Sequence, residues 1–64
     1  MYASGYRLMT DVDFDNAIIF RLIISITEQD MHVGSGYIKS HTSEVVYLNK
    51  LAVSKKLCEF KICL

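Results

Sequence analysis

From Ala17 to Thr27 the chain sets Ile18, Phe20, Leu22, Ile24 and Ile26 at every second position, against a mixed alternate set of Ile19, Arg21, Ile23, Ser25 and Thr27. Period two is the spacing that puts side chains on one face of a strand. Isoleucine, branched at Cβ, is stiff and packs well on a pleated surface. The run predicts a long strand over 17–27, and a helix capped by Asn16 is its rival. The last eight residues alternate in the same way: Cys58, Phe60, Ile62 and Leu64 on one side, Leu57, Glu59, Lys61 and Cys63 on the other. They predict a second strand. Between these two, Glu28 to Ser35 is polar and runs into Gly34-Ser35-Gly36, which reads as a loop. Gly36 to Thr42 reads as a further strand. Upstream, Asp11, Asp13 and Asp15 alternate with Val12 and Phe14.

Residues Thr42 to Lys56 fit two patterns. One is a hairpin, Glu44 to Leu48 and Leu51 to Val53, joined by Asn49-Lys50, since asparagine tolerates the left-handed backbone of a tight turn. The other is a helix capped by Ser43, with Glu44 in its first turn and Lys55 and Lys56 at its end. At helical spacing Val45, Leu48 and Ala52 share a face, but Lys56 intrudes on it and Val46 and Val53 leave it. The hairpin segregates polar from apolar better. The expected fold class is therefore all-β, a small meander or barrel of about four to five strands, with α+β and one helix near residues 43–56 as the alternative.

A chain of 64 residues is expected to form one domain over 1–64. So short a chain buries a smaller share of its surface than a large one, so its stability margin is thin. Its 52% hydrophobic content argues against disorder. The most apolar stretch, Ala17 to Ile26, is too short and too interrupted by Arg21 to cross a bilayer as a helix. The opening residues lack the charged-then-apolar order of a secretory leader. Two cysteines without a leader suggest free thiols in a reducing compartment. A cytoplasmic location is expected.

Each constellation that could carry chemistry meets an obstacle. Asp11-Val12-Asp13-Phe14-Asp15-Asn16 resembles the opening of an EF-hand calcium loop, but the sixth and twelfth positions hold Asn16 and Leu22 instead of glycine and glutamate. Cys58 and Cys63 are five apart, about 16 Å along a strand and on opposite faces, too far for one metal or for a disulfide. With His32 and His41 they make no close zinc-ligand pair. Ser40 and His41 are adjacent, so on a strand they point apart and cannot share a proton. Gly34-Ser35-Gly36 lacks the lysine and hydroxyl of a phosphate loop. No enzyme, cofactor or metal is expected.

Charge is the sharper clue. Residues 1–31 hold five acids and two bases, a net of −3, whereas residues 32–64 hold two acids and five lysines, a net of +3. Either sheet pairing mixes the halves, or one face is acidic and another basic. The second arrangement suits a protein partner or head-to-tail self-assembly. The expected function is a small non-enzymatic protein-binding module, an adaptor or inhibitor acting by surface complementarity. Its expected contact residues are Asp11, Asp13, Asp15, Lys50, Lys55, Lys56, Lys61 and Ile62. The alternative is a small-barrel nucleic-acid binder, with Tyr37, Tyr47 and Phe60 stacking beside Lys39, Lys50 and Lys61. A homo-oligomer is also expected, because the overall charge is zero and no proline blunts a strand edge. The C-terminal strand, through Ile62, is the expected point of contact. A membrane is not.

Overall fold

The computed structural model describes residues 2–64. The chain begins as an extended segment and then forms helix α1 (Asp11–Ile19). Six strands follow: β1 (Ile23–Glu28), β2 (Met31–Tyr37), β3 (Ser40–His41), β4 (Val45–Tyr47), β5 (Ala52–Ser54) and β6 (Glu59–Ile62). They make two antiparallel three-stranded sheets, ordered β2-β1-β6 and β3-β4-β5. Strands dominate, as the alternation predicts, but the sheets do not close into a barrel. No helix among the described residues is long and apolar enough to cross a membrane.

The single helix lies where the sequence suggested strand. Thr10 caps it: its hydroxyl accepts from the Asp13 amide, and the Asp13 carboxylate accepts in return from the Thr10 amide. This reciprocal box satisfies amide donors that a helix start otherwise leaves bare. The buried stripe is Asp13, Phe14 and Ala17, with Ile18 packed against the core. Val12, Ile19 and Phe20 stay exposed, and they disguise the stripe. The isoleucine run is thus two elements. Ile18 to Leu22 finish and leave the helix, and only Ile24 and Ile26 face the core from a strand.

The helix ends in a left-handed residue that is not glycine. Phe20 is the C-cap, and Arg21 follows at φ 51°. The Arg21 amide donates to the Ile18 carbonyl at 3.2 Å and the Leu22 amide to the Ala17 carbonyl at 3.0 Å. That pair of bonds is a Schellman motif, which normally uses glycine at the position Arg21 occupies.

Strand β2 replaces the loop expected over 28–35. Gln29 and Asp30 adopt φ 50° and 65°, a two-residue turn that folds β2 back on β1. The inward face of β2 is Gly34 and Gly36, opposite Ile26 and Ile24. Their missing side chains leave room for the second sheet. A Cβ at Gly34 would lie 3.4 Å from Leu51 Cδ2, and Gly36, at φ 151°, needs glycine for its backbone. A strand built this way has no apolar alternation to read.

The hairpin over Thr42 to Lys56 forms as expected. Val45, Val46 and Tyr47 pair with Ser54, Val53 and Ala52, and the Leu48 amide donates to the Leu51 carbonyl across Asn49-Lys50. The alternative helix near residues 43–56 is not formed. Inward side chains from both sheets and α1 meet in one core, with Ile24, Ile26, Val46, Phe60 and Ile62 almost fully buried. Each such side chain contributes about 1.5–3 kcal/mol by leaving water. The Phe14 and Phe60 rings meet edge to face at 5.3 Å, which joins the helix to β6.

Candidate functional site

Two groups of charged side chains stand on this scaffold, and they differ in whether their charge is already answered. The first joins α1 to the second sheet. Lys55 Nζ lies 3.3 Å from Asp11 Oδ1, 2.9 Å from His41 Nδ1 and 4.4 Å from the centre of the Phe14 ring. His41 Nε2 lies 2.6 Å from Asp15 Oδ1. A neutral imidazole with its proton on Nε2 satisfies both contacts, accepting from Lys55 and donating to Asp15. His41 and Lys55 are largely buried, whereas the two aspartates face solvent. Every member of this chain of bonds has its partner inside the chain. It acts as a clamp.

Three of the expected contact residues, Asp11, Asp15 and Lys55, are held in that clamp. Asp13 is not at the surface at all. Its carboxylate is buried and accepts from the Met9 amide at 3.0 Å, the Thr10 amide at 3.1 Å and the Tyr2 hydroxyl at 2.8 Å. The Met9 hydrogen bond does most to hold this carboxyl below the ordinary carboxylate range. Burial pushes the other way, and the Thr10 and Tyr2 bonds add to the lowering. The aspartates are therefore a cap and two clamp anchors, in a helix rather than in a loop.

Ile62 is the second correction. It is only 2% exposed, and the far edge of its strand is covered. Residues 5–8 run along β6: the Leu8 amide donates to Phe60, the Ile62 amide to Tyr6 and the Gly5 amide to Ile62. Arg7 bridges Lys61 and pairs with Glu59 at 3.5 Å. The C-terminal strand is the last of its sheet, but residues 5–8 cover the edge that was expected to meet a second chain. The period-two row correctly marked an apolar face, but alternation says nothing about what lies beside a strand.

The second charged group surrounds a cleft of about 550 Å³. Gly34 to Tyr37 line it, together with residues from three other places in the chain. The left-handed Arg21 sends its guanidinium over the Tyr37 ring, 5.0 Å from the centroid. Lys39 stands where β2 gives way to β3. The Leu48 to Leu51 turn adds Lys50 and Asn49. No acid lines the cleft, and none of its three cations makes an ion pair among the described residues. A non-glycine residue held at positive φ stores local strain, and such strain gathers at working sites.

β2 is also the last strand of its sheet, so one of its edges is unpaired by any strand among the described residues. It carries no proline or lysine, and its one irregularity is the register shift at Val33. Met31, Val33 and Tyr37 are exposed along it. Comparison with protein-family models, curated proteins and solved structures finds no match to this chain. The cleft and the edge beside it are what the geometry itself singles out.

Of the remaining expected residues, Lys50 belongs to the cleft, while Lys56 and Lys61 are exposed elsewhere. Of the stacking set named for nucleic acid, Tyr37, Lys39 and Lys50 meet at the cleft, whereas Phe60 is buried and neither Tyr47 nor Lys61 lines it. The charge split survives only in part. Asp11 and Asp15 meet Lys55 and His41 across the halves, and Arg7 meets Glu59. What persists is a polarity along β2, with Asp30 in the turn before it and Lys39 with Arg21 and Lys50 at its end. Arg21 and the two glycines carried no signal in the sequence, because their roles come from backbone conformation.

Proposed function

We propose that this chain is a small, non-enzymatic protein-binding module that works through the free edge of β2 and the cationic cleft beside it. The observation that carries the reading is their coincidence: Gly34 to Tyr37 both line the cleft and belong to the strand with the open edge. An added extended strand satisfies main-chain groups at such an edge, and neighbouring pockets then select its side chains. Unpaired cations favour an acidic segment. Association of two copies of the chain is included in this reading, as is a regulatory role exercised by occupying a partner's strand.

The other charged group supports a binding role over a catalytic one. His41, Lys55 and both aspartates are bonded to one another, and neither Ser40 nor Cys58 hydrogen-bonds to His41. A cytoplasmic location belongs to this reading, with Cys58 and Cys63 as free thiols.

The test is capture from nuclease-treated cell lysate by the immobilised chain, beside a Lys39→Glu, Lys50→Glu variant. Retention of protein that the variant loses is the expected result. Retention that depends on intact nucleic acid would replace this reading with the nucleic-acid one.

A further inference from the structure

We infer that the strand occupying the β2 edge is β2 of a second copy, paired antiparallel about a twofold axis; this rests on β2 being the protein-binding edge. The sequence around the edge is self-complementary. Its start is acidic, through Asp30, and its end is basic, through Lys39 and the cleft residues Arg21 and Lys50. Antiparallel pairing sets the start of one strand beside the end of the other, so acid meets base twice. A parallel pairing would set like charges together.

The register follows from the exposed apolar side chains. With the axis at Ser35, Val33 lies opposite the partner's Tyr37, and the reciprocal contact repeats across the axis. These are among the exposed large apolar residues of the chain, at 41% and 46% exposure, and the pairing covers them together. Asp30 then stands one residue, about 3.3 Å, along the pair from the partner's Lys39. The two glycines matter here too. Gly34 lies opposite the partner's Gly36 on the face turned toward Leu48 and Leu51, so the contacting side chains all lie on the other face. The two β2-β1-β6 sheets become one continuous sheet. Its outer edges are the ones already covered by residues 5–8, so the assembly closes at two copies.

Sedimentation equilibrium from micromolar to millimolar protein tests this, with Val33→Lys, Asp30→Lys, Lys39→Asp and the Asp30→Lys, Lys39→Asp double variant. Circular dichroism confirms that each stays folded. The wild type is expected to be dimeric. Either charge reversal converts two attractive pairs into two repulsive ones, so each weakens the dimer by about tenfold. The double variant restores it, and Val33→Lys leaves a monomer. A dimer that Val33→Lys and the reversals do not touch overturns the pairing. So does a double variant no tighter than the single reversals. A wild type that stays monomeric, yet captures protein from nuclease-treated lysate in a manner lost with Val33→Lys, overturns self-pairing and leaves the protein-binding reading standing. A monomer that captures nothing ends both.

Discussion

The sheet β2-β1-β6 has two flanks that were given opposite treatments. On the β6 side, residues 5–8 lay their backbone along the strand, Arg7 pairs with Glu59, and the edge is consumed. On the β2 side nothing similar arrives among the described residues; two glycines thin the strand, and three cations with no ion pair among those residues gather at its end. The β6 flank is where this chain spends its apolar side chains, and the β2 flank is where it leaves groups unanswered. An unpaired strand edge is a hazard that proteins usually blunt. The sealed flank and the bare one are the contrast on which the proposed binding role rests.

The largest expected effect comes from moving one charge between the flanks. Ile62→Lys places an ammonium among the buried side chains of β6, and in a chain of marginal stability it should abolish cooperative folding. Urea titration followed by circular dichroism measures it. A folded Ile62→Lys protein would mean that β6 is less enclosed than its neighbours indicate.

Asp13→Ala attacks the sealing segment from its anchor. The carboxylate holds the Met9 and Thr10 amides and the Tyr2 hydroxyl, so its loss removes the cap and loosens residues 5–8 from β6. A destabilisation of about 2 kcal/mol is expected from loss of the helix cap and its buried bonds. Amide exchange at Leu8 and Ile62 should quicken more than exchange at β2. Acid should act the same way. The Asp13 carboxyl is depressed in the folded chain, so the stability it contributes is present above its unfolded pKa of about 3.9 and is lost as pH falls below that value. Asp13→Asn should flatten that part of the pH profile. An unchanged profile would remove Asp13 as the anchor.

Arg21→Gly sharpens the view of the open flank. Glycine suits the left-handed backbone at the helix end, so stability should rise by up to about 1 kcal/mol. Binding of an acidic peptide, read by fluorescence anisotropy, should weaken in the same variant, because the cleft loses a cation. A variant that gains stability and keeps its binding would show that the strain at Arg21 serves nothing in the cleft.

The smallest effect is the counterpart of the first. Val33→Lys on the open edge should change monomer stability by no more than about 0.5 kcal/mol, because the side chain is partly exposed and the neighbouring strand position is empty. Thermal unfolding at low protein concentration checks it. A loss comparable to that of Ile62→Lys would erase the distinction between the flanks.

Much of this fold was legible one element at a time. The hairpin from Val45 to Ser54 followed from its turn residues and the better segregation of a strand pair, and β6 followed from Cys58, Phe60 and Ile62 at period two. The helix was hidden because its exposed Val12, Ile19 and Phe20 extend the apolar run in both directions, while its decisive signal is a single hydrogen-bonded pair, Thr10 and Asp13. β2 was hidden because glycines supply its inner face. Of the candidate site, Lys50, Lys39 and Tyr37 were legible as candidate binding residues, whereas Arg21 was not.

By itself the sequence determined that strands would dominate, that Phe60 would turn inward, and that acids would precede bases along the chain. These are local properties, set by side-chain spacing and composition. Only the tertiary structure decided which charges would answer one another and which strand would end the sheet. Both depend on what lies beside a segment in space, and residues 5–8 reach β6 from the other end of the chain. No periodicity within either segment records that meeting.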